Sequence, residues 1–313
     1  MIGLPELYLL AGLVFAGWAI ATLLDRQHMA RLRGSAFWAL ISLEFLAGDV
    51  LSDFHNGLIV LALVGLALAG APGKGQPATT STADRQASAA ARGNRLFLPA
   101  LIVPMVALAG TLALPRLGDL VDPKQVTLIC LGLGAIIAVG VLLAWLRPPA
   151  SAAVQEGRRL AEGVGWAMIL PQLLASLGMV FGLAGVGDIV GAVAPLAIPA
   201  GSRLAAVLVF TGGMALFTIL MGNAFAAFPV LMGGIGLPVL VRGLGGDPVV
   251  IGAVGMLAGF CGTLLSPMAA NFNIVPAALL NLPDRYAVIR AQWPTAVALW
   301  LFNTALIWGF AFR

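Results

Sequence analysis

The chain has 313 residues, of which 60% are hydrophobic and only 10% charged, and its mean hydropathy is +1.01. Soluble domains carry about 25% charged residues, so a chain this poor in polar groups cannot cover a globule in water and is read as an integral membrane protein. The net charge of +4 comes from 17 Lys and Arg against 13 Asp and Glu; the basic residues are scattered between apolar runs without an aromatic-interleaved patch, which excludes nucleic acid as a partner.

Apolar stretches bounded by charge predict spans near 3–23, 35–51, 57–71, 96–114 and 125–146. The first lacks a preceding Lys or Arg and is followed by positive charge, as expected of a retained helix and not of a cleaved signal peptide. Arg26, Arg31 and Arg33 follow it; Lys74, Arg85, Arg92 and Arg95 fill residues 72–95; Arg147, Arg158 and Arg159 follow the fifth span. The loops at 52–56 and 115–124 have little or no net positive charge, so the positive-inside rule places the N-terminus outside. Residues 72–95, rich in Ala, Ser, Thr and Gly, read as a flexible cytoplasmic linker. The "GKG" within them lacks phosphate-loop spacing and follows no strand.

The second half is less regular. A span near 163–183 leads into "AGVGDIVGAVAPLAIPAG", which is interrupted by Gly and Pro and reads as re-entrant. Spans near 203–220, 224–241, 248–264 and 294–311 follow, with a short apolar piece, Ile274–Leu282, between the last two. The expected fold class is therefore an all-α polytopic membrane protein of about ten transmembrane helices with both termini outside. It comprises a five-helix region, 1–146, and a second region, 147–313, containing a re-entrant hairpin and broken helices.

Two breaks interrupt that second region, at residues 221–224 within "TILMGNAF" and at 262–273 within "GTLLSPMAANFN". Unpaired polar groups in hydrocarbon cost several kcal/mol each, so both runs need a protein-walled setting. Broken helices in secondary transporters supply it: unwound carbonyls hold cations, and half-helix N–H groups attract anions. Pro267 suits the first turn of a new helix with Ser266 as its N-cap. Small and amide residues also serve as plain helix-helix contacts, and that reading stays open.

Among ionisable residues, Glu44 within the second span and Asp188 near a membrane edge are the candidates for moving a proton, while Asp188 also suits a helix N-cap. Asp53 and His55 fall in an outer loop. The two histidines, His28 and His55, lie on opposite expected sides, and no nucleophile elbow, H-E-x-x-H or Cys/His cluster is present, so no enzyme is expected. Cys130 and Cys261 sit in apolar segments without disulfide or metal spacing, and no resident cofactor is expected beyond a coupling ion, H+ or Na+.

The blocks "LEFLAGDVLSDFHNG", "FTILMGNAFAAFPVLMGGIGLP" and "GMLAGFCGTLLSPMAANFNIVPAALLNLPDRYAVIRAQ" together resemble the bacterial membrane-protein family called domain of unknown function 979, over nearly the whole chain. In addition, "LPQLLASLGMVFGLAGVGDIVGAV" followed by "MGNAFAAF" is similar to the second half of gluconate, lactate and citrate permeases of the ion transporter superfamily. That likeness implies a site at Gly222, Asn223, Gly262, Thr263, Ser266, Pro267, Asn271 and Asn273. Residues 1–146 do not repeat the hairpin and broken-helix pattern, so the first resemblance implies a companion subunit of the domain of unknown function 969 family, in a hetero-oligomer of the bacterial inner membrane. A pyroglutamyl peptidase in the same company makes 5-oxoproline or a related carboxylate the implied cargo. The expected function is a subunit of an ion-coupled transporter for a small organic anion; a non-transporting accessory subunit and an ion channel are the alternatives.

Overall fold

The computed structural model describes residues 3–75, 80–114, 121–122, 124–149, 151–199, 201–280 and 282–313; most of the 115–124 loop and part of the basic linker lie outside them. Among the described residues the regular structure is helical and no β-strand forms. The chain divides into two compact units, Met1–Gly165 and Trp166–Arg313.

In the first unit, α1 (Leu4–Leu24) and α2 (Arg31–Ala47) pair along their length. Their seam is closed by aromatic side chains and by two hydroxyls: Phe15 stacks on Trp38 and Phe45, Ser42 Oγ donates to Gly12 O at 2.8 Å, and Ser35 Oγ donates to Ala19 O at 2.9 Å. Serine across a helix pair satisfies its own hydroxyl where lipid offers no partner. α3 (Asp53–Leu68) packs on α2, and α5 (Leu98–Ala113) pairs with α6 (Val126–Leu146). α7 (Ala152–Val164) is amphipathic and lies against α1.

The basic linker departs from the flexible reading. Thr82–Arg92 forms a helix, α4, whose N-cap Ser81 accepts the Asp84 N–H at 3.0 Å, and a 3-10 turn at Gly93–Phe97 joins it to α5. Alanine accounts for the helix: composition that reads as low complexity is also the best helix-forming material available. The loop arginines are likewise more than topology signals. Arg31 Nε donates to Leu23 O at the end of α1, and Arg33 Nη1 donates to Ala69 O at the end of α3. Cations there meet orphan carbonyls and the negative end of the helix dipole.

In the second unit, α10 (Arg203–Met221), α12 (Pro248–Leu265) and α14 (Ala287–Phe310) form the centre, around buried Phe210, Met214, Ile251 and Ile307. α8 (Leu170–Leu183) packs on α11 (Ala224–Leu231), and the short α9 (Val186–Ala197), which covers the stretch expected to be re-entrant, packs on a π-helical segment, Met232–Gly243. Pro238 has no N–H to give and its ring clashes in an ordinary α-helix, so the wider i→i+5 pattern relieves both faults. α13 (Ala270–Leu279) carries the short apolar piece.

Among the described residues seven helical stretches are long and apolar enough to cross a membrane: Leu4–Leu24, Ala83–Ala113, Val126–Leu146, Ala152–Leu183, Arg203–Met221, Ala224–Gly243 and Pro248–Leu265. The protein is thus a multi-pass membrane protein. Three of the ten expected spans fall short by that measure. α3 has only 16 residues, α2 has 17 and carries Arg31, Arg33 and Glu44, and the apolarity of α14 is diluted by Arg290, Pro294 and Asn303.

Candidate functional site

The two expected breaks meet inside the second unit. α10 ends at Gly222, whose φ of 75° is the left-handed conformation that only glycine adopts without strain. A Cβ there would also lie 2.6 Å from the Met268 carbonyl carbon, so the first break packs backbone against backbone on the second. Asn223 then starts α11 as its N-cap, its Oδ1 accepting the Phe225 N–H at 2.8 Å.

At the second break Pro267 forces the residue before it out of the helical region, and Ser266 is extended at φ −88°, ψ 124°. Ser266 therefore ends α12 and does not cap the next helix, and Pro267 lies in a turn; α13 begins three residues later, at Ala270. Both expected roles are corrected by this geometry. The Ser266 hydroxyl donates to Ile219 O at 2.6 Å, in the last turn of α10, and accepts the Met268 N–H at 3.1 Å. Asn273 Nδ2 donates to Thr263 O at 3.0 Å and to Ser266 O at 2.7 Å, at the end of α12. Each break thus supplies the carbonyls that a helix end leaves unpaired, and a side chain of the second break satisfies them.

Ser266, Asn273 and Thr263 are all buried. Gly262 packs directly on the Ala215 carbonyl, which brings α12 onto α10. Three buried oxygens remain without a hydrogen-bond partner among the described residues: Thr218 Oγ1, Thr263 Oγ1 and Asn273 Oδ1. Thr218 belongs to the last turn of α10 and was missed in the sequence, because one threonine in an apolar helix resembles any other. Asn271 lies on α13, and its side chain falls outside the described residues. Beside the break a depression of about 240 Å³, walled by Phe260, Phe272 and Leu299, is almost wholly apolar; its polar members are Cys261 and Asn303, 3.6 Å apart.

The proton candidates lie apart from this cluster. Asp188 is exposed in the first turn of α9. Glu44 is on α2 in the first unit, half-buried, with Oε1 unpartnered among the described residues.

The first unit holds a second polar cluster that the sequence reading did not assemble. Asp25 and His28, in the turn between α1 and α2, meet Arg158 and Glu162 of α7. Arg158 Nη2 reaches Asp25 Oδ2 at 2.8 Å, Arg158 Nε lies 3.5 Å and His28 Nε2 3.3 Å from Glu162 Oε1, and the Gly75 N–H donates to Glu162 Oε2 at 2.8 Å. Because the Ala30 N–H donates to His28 Nδ1, the hydrogen-bond pattern assigns the imidazole proton to Nε2, facing Glu162. Burial pushes the Asp25 carboxyl up, but hydrogen bonds from Arg158 and the Gln27 N–H, with the Arg158 charge, outweigh it and hold the group below the usual carboxylate range. The i, i+4 spacing of Arg158 and Glu162 was visible; their partners Asp25, His28 and Gly75, distant in the chain, were not.

Residues 5–312 match the family described as "Protein of unknown function (DUF979)". The chain belongs to the DUF979 family. Neither a curated protein nor a solved structure matches this DUF979 protein. Among its described residues no group of three or more His, Cys, Asp or Glu is arranged to hold a metal ion.

Proposed function

We propose that this DUF979 protein is a subunit of a sodium-coupled transporter for a small organic anion, with the site at the paired helix breaks. The observation that carries the reading is the set of three buried, unpartnered oxygens around the breaks: Thr218 Oγ1 in the last turn of α10, Thr263 Oγ1 in the last turn of α12, and Asn273 Oδ1 on α13. Hydroxyl, amide and backbone oxygens are the ligands a hard cation takes from unwound helices. Sodium is favoured over a proton because residues 166–313 contain no Glu or His, and their three carboxylates are elsewhere: Asp188 in α9, Asp247 capping the far end of α12, and Asp284 paired with Arg290. The carboxylate cargo, with 5-oxoproline as the first to try, and the companion subunit of the domain of unknown function 969 family rest on the resemblances drawn from the sequence. Alternating access follows from movement of one broken helix against the other.

One observation favours the accessory reading. Ser266 and Asn273 already bind backbone carbonyls, as plain packing residues would. Uptake of radiolabelled 5-oxoproline and related small carboxylates into proteoliposomes, with this chain, its companion or both, under sodium or proton gradients, separates the readings. Saturable uptake that needs both chains and follows the sodium gradient is expected. Undiminished uptake by the companion alone would make this chain an accessory, and conductance without saturable coupled uptake would make it a channel.

A further inference from the structure

We infer that the end of the α5–α6 pair carries a binding site for an anionic phospholipid, built from Arg92, Arg95 and Arg147 around Trp145. The length of the helical stretch sets the level. The 3-10 turn Gly93–Phe97 (5 residues) and α5 (16 residues) together supply about the 20 residues that a hydrocarbon core of about 30 Å requires. α4 precedes them as a separate polar helix, set off by Gly93 at φ 51°. Counting back about 20 residues from Ala113 brings the membrane boundary to the region of Arg95 and Phe97.

The side chains at that level match a phospholipid in two layers. Arg92 lies with its guanidinium carbon 5.8 Å from the centre of the Trp145 ring, which ties the start of α5 to the end of α6. Arg95 lies three residues further on, in the 3-10 turn, and Arg147 follows Trp145 by two residues; both are exposed. Immediately on the membrane side, Phe97 is 69% and Leu98 59% exposed. Guanidinium forks suit phosphate oxygens, an interfacial Trp suits the glycerol level, and the apolar pair suits the acyl chains.

Four other arginines of the unit are engaged, whereas Arg26 and Arg85, which stand away from Trp145, share with this group the lack of a partner among the described residues. Arg31 and Arg33 are spent on helix-end carbonyls, Arg158 on Asp25 and Glu162, and Arg159 on Glu156. Arg92, Arg95 and Arg147 have no carboxylate partner among the described residues, and the contact of Arg92 with Ser88 Oγ, at 2.8 Å, is to a neutral hydroxyl. Three guanidiniums concentrated at the lipid surface without an acid call for an anion that the membrane itself supplies. The Arg distribution reads this end as cytoplasmic, where anionic headgroups are available.

The test uses the full chain in nanodiscs of phosphatidylcholine doped with a minor fraction of lipid brominated high on its acyl chain. Quenching of Trp145, taken as the difference between wild type and Trp145→Phe, is compared for brominated phosphatidylglycerol and brominated phosphatidylcholine. Preferential quenching by phosphatidylglycerol is expected. Each arginine replaced by Gln should lower that preference about fivefold, the equivalent of about 1 kcal/mol per basic residue near an anionic surface. Arg92→Lys keeps the charge but loses the fork and the ring contact, so it should lose only part. Equal quenching by the two lipids in the wild type would overturn the proposal. So would relief of the preference by inorganic phosphate, which would make the site one for a soluble anion.

Discussion

Replacing Arg158 by Gln should be the most damaging single change in the first unit. Its guanidinium is 2.8 Å from Asp25 and 3.5 Å from Glu162, and the side chains of Arg158 and Glu162 are 2% and 3% exposed. Without it two carboxylates face each other across a turn with no cation of fixed charge between them. Breaking a buried pair from one side costs about 3–5 kcal/mol, mostly from the charge left behind. Glu162→Gln leaves the Asp25–Arg158 pair whole and its amide oxygen can still accept the Gly75 N–H, but its NH2 then faces Arg158 Nε and His28 Nε2, so it should cost about 1–3 kcal/mol, less than Arg158→Gln. Equilibrium unfolding in mixed micelles, with Asp25→Asn combined with Arg158→Gln to complete a double-mutant cycle, measures the coupling directly. The pH dependence has a definite sign. Asp25 is held below the usual range, so the stability it contributes is fully present above the unfolded value of about 3.9 and is lost as pH falls through the lower folded value. Arg158→Gln should flatten that acid limb. If Arg158→Gln proved no more destabilising than Glu162→Gln, with an unchanged acid limb, the account of the cluster as a charge-balanced clamp would be wrong.

Gly75→Ala should cost about 1–3 kcal/mol by overpacking, since its Cβ would fall 2.7 Å from His28 Cδ2 and 2.9 Å from Asp25 Oδ2; faster tryptic cleavage after Lys74 would report the strap coming loose, and an unchanged rate would count against it. Ser81→Ala removes the α4 cap for about 1 kcal/mol, visible as faster amide exchange confined to the first turn of that helix. Thr263→Val keeps the shape of the side chain and deletes an oxygen without a partner, so folding should be near neutral while the sodium dependence of uptake weakens; uptake with unaltered sodium dependence would remove Thr263 from the cation site.

What could be read from the sequence divides along a physical line. Helix existence followed from apolar run length, and both breaks followed from Gly, Asn, Ser and Pro, because these signals are local. Cap assignments at the second break failed by a few residues: Pro267 acts most strongly on the residue before it, so Ser266 closes α12 and opens nothing. The linker failed for a related reason, as alanine-rich sequence without periodicity is ambiguous until a cap such as Ser81 is weighed. The Asp25–His28–Arg158–Glu162 cluster was illegible in principle, since its four members come from a turn and a helix more than 120 residues apart and only packing brings them together.

The same packing answers why a greasy chain concentrates polar residues at 262–273. A helix that ends inside a membrane exposes carbonyls that neither lipid nor water can satisfy there. α10 and α12 end side by side, so a single hydroxyl, Ser266, serves the last turn of the first, and a single amide, Asn273, serves the end of the second. The cost of two broken helices is thereby largely offset without water. What the arrangement leaves over is two hydroxyls, on Thr218 and Thr263, and the amide oxygen of Asn273, none with a hydrogen-bond partner among the described residues. A packing device would more simply use valine in place of the two threonines, since an unsatisfied buried polar group costs about 1–3 kcal/mol. Buried oxygens that serve no packing hydrogen bond are what distinguish a cation site from glue, and substituting the two threonines tests that distinction: in Thr218→Val with Thr263→Val, glue predicts equal or greater stability with full uptake, whereas a sodium site predicts equal or greater stability with coupled uptake lost.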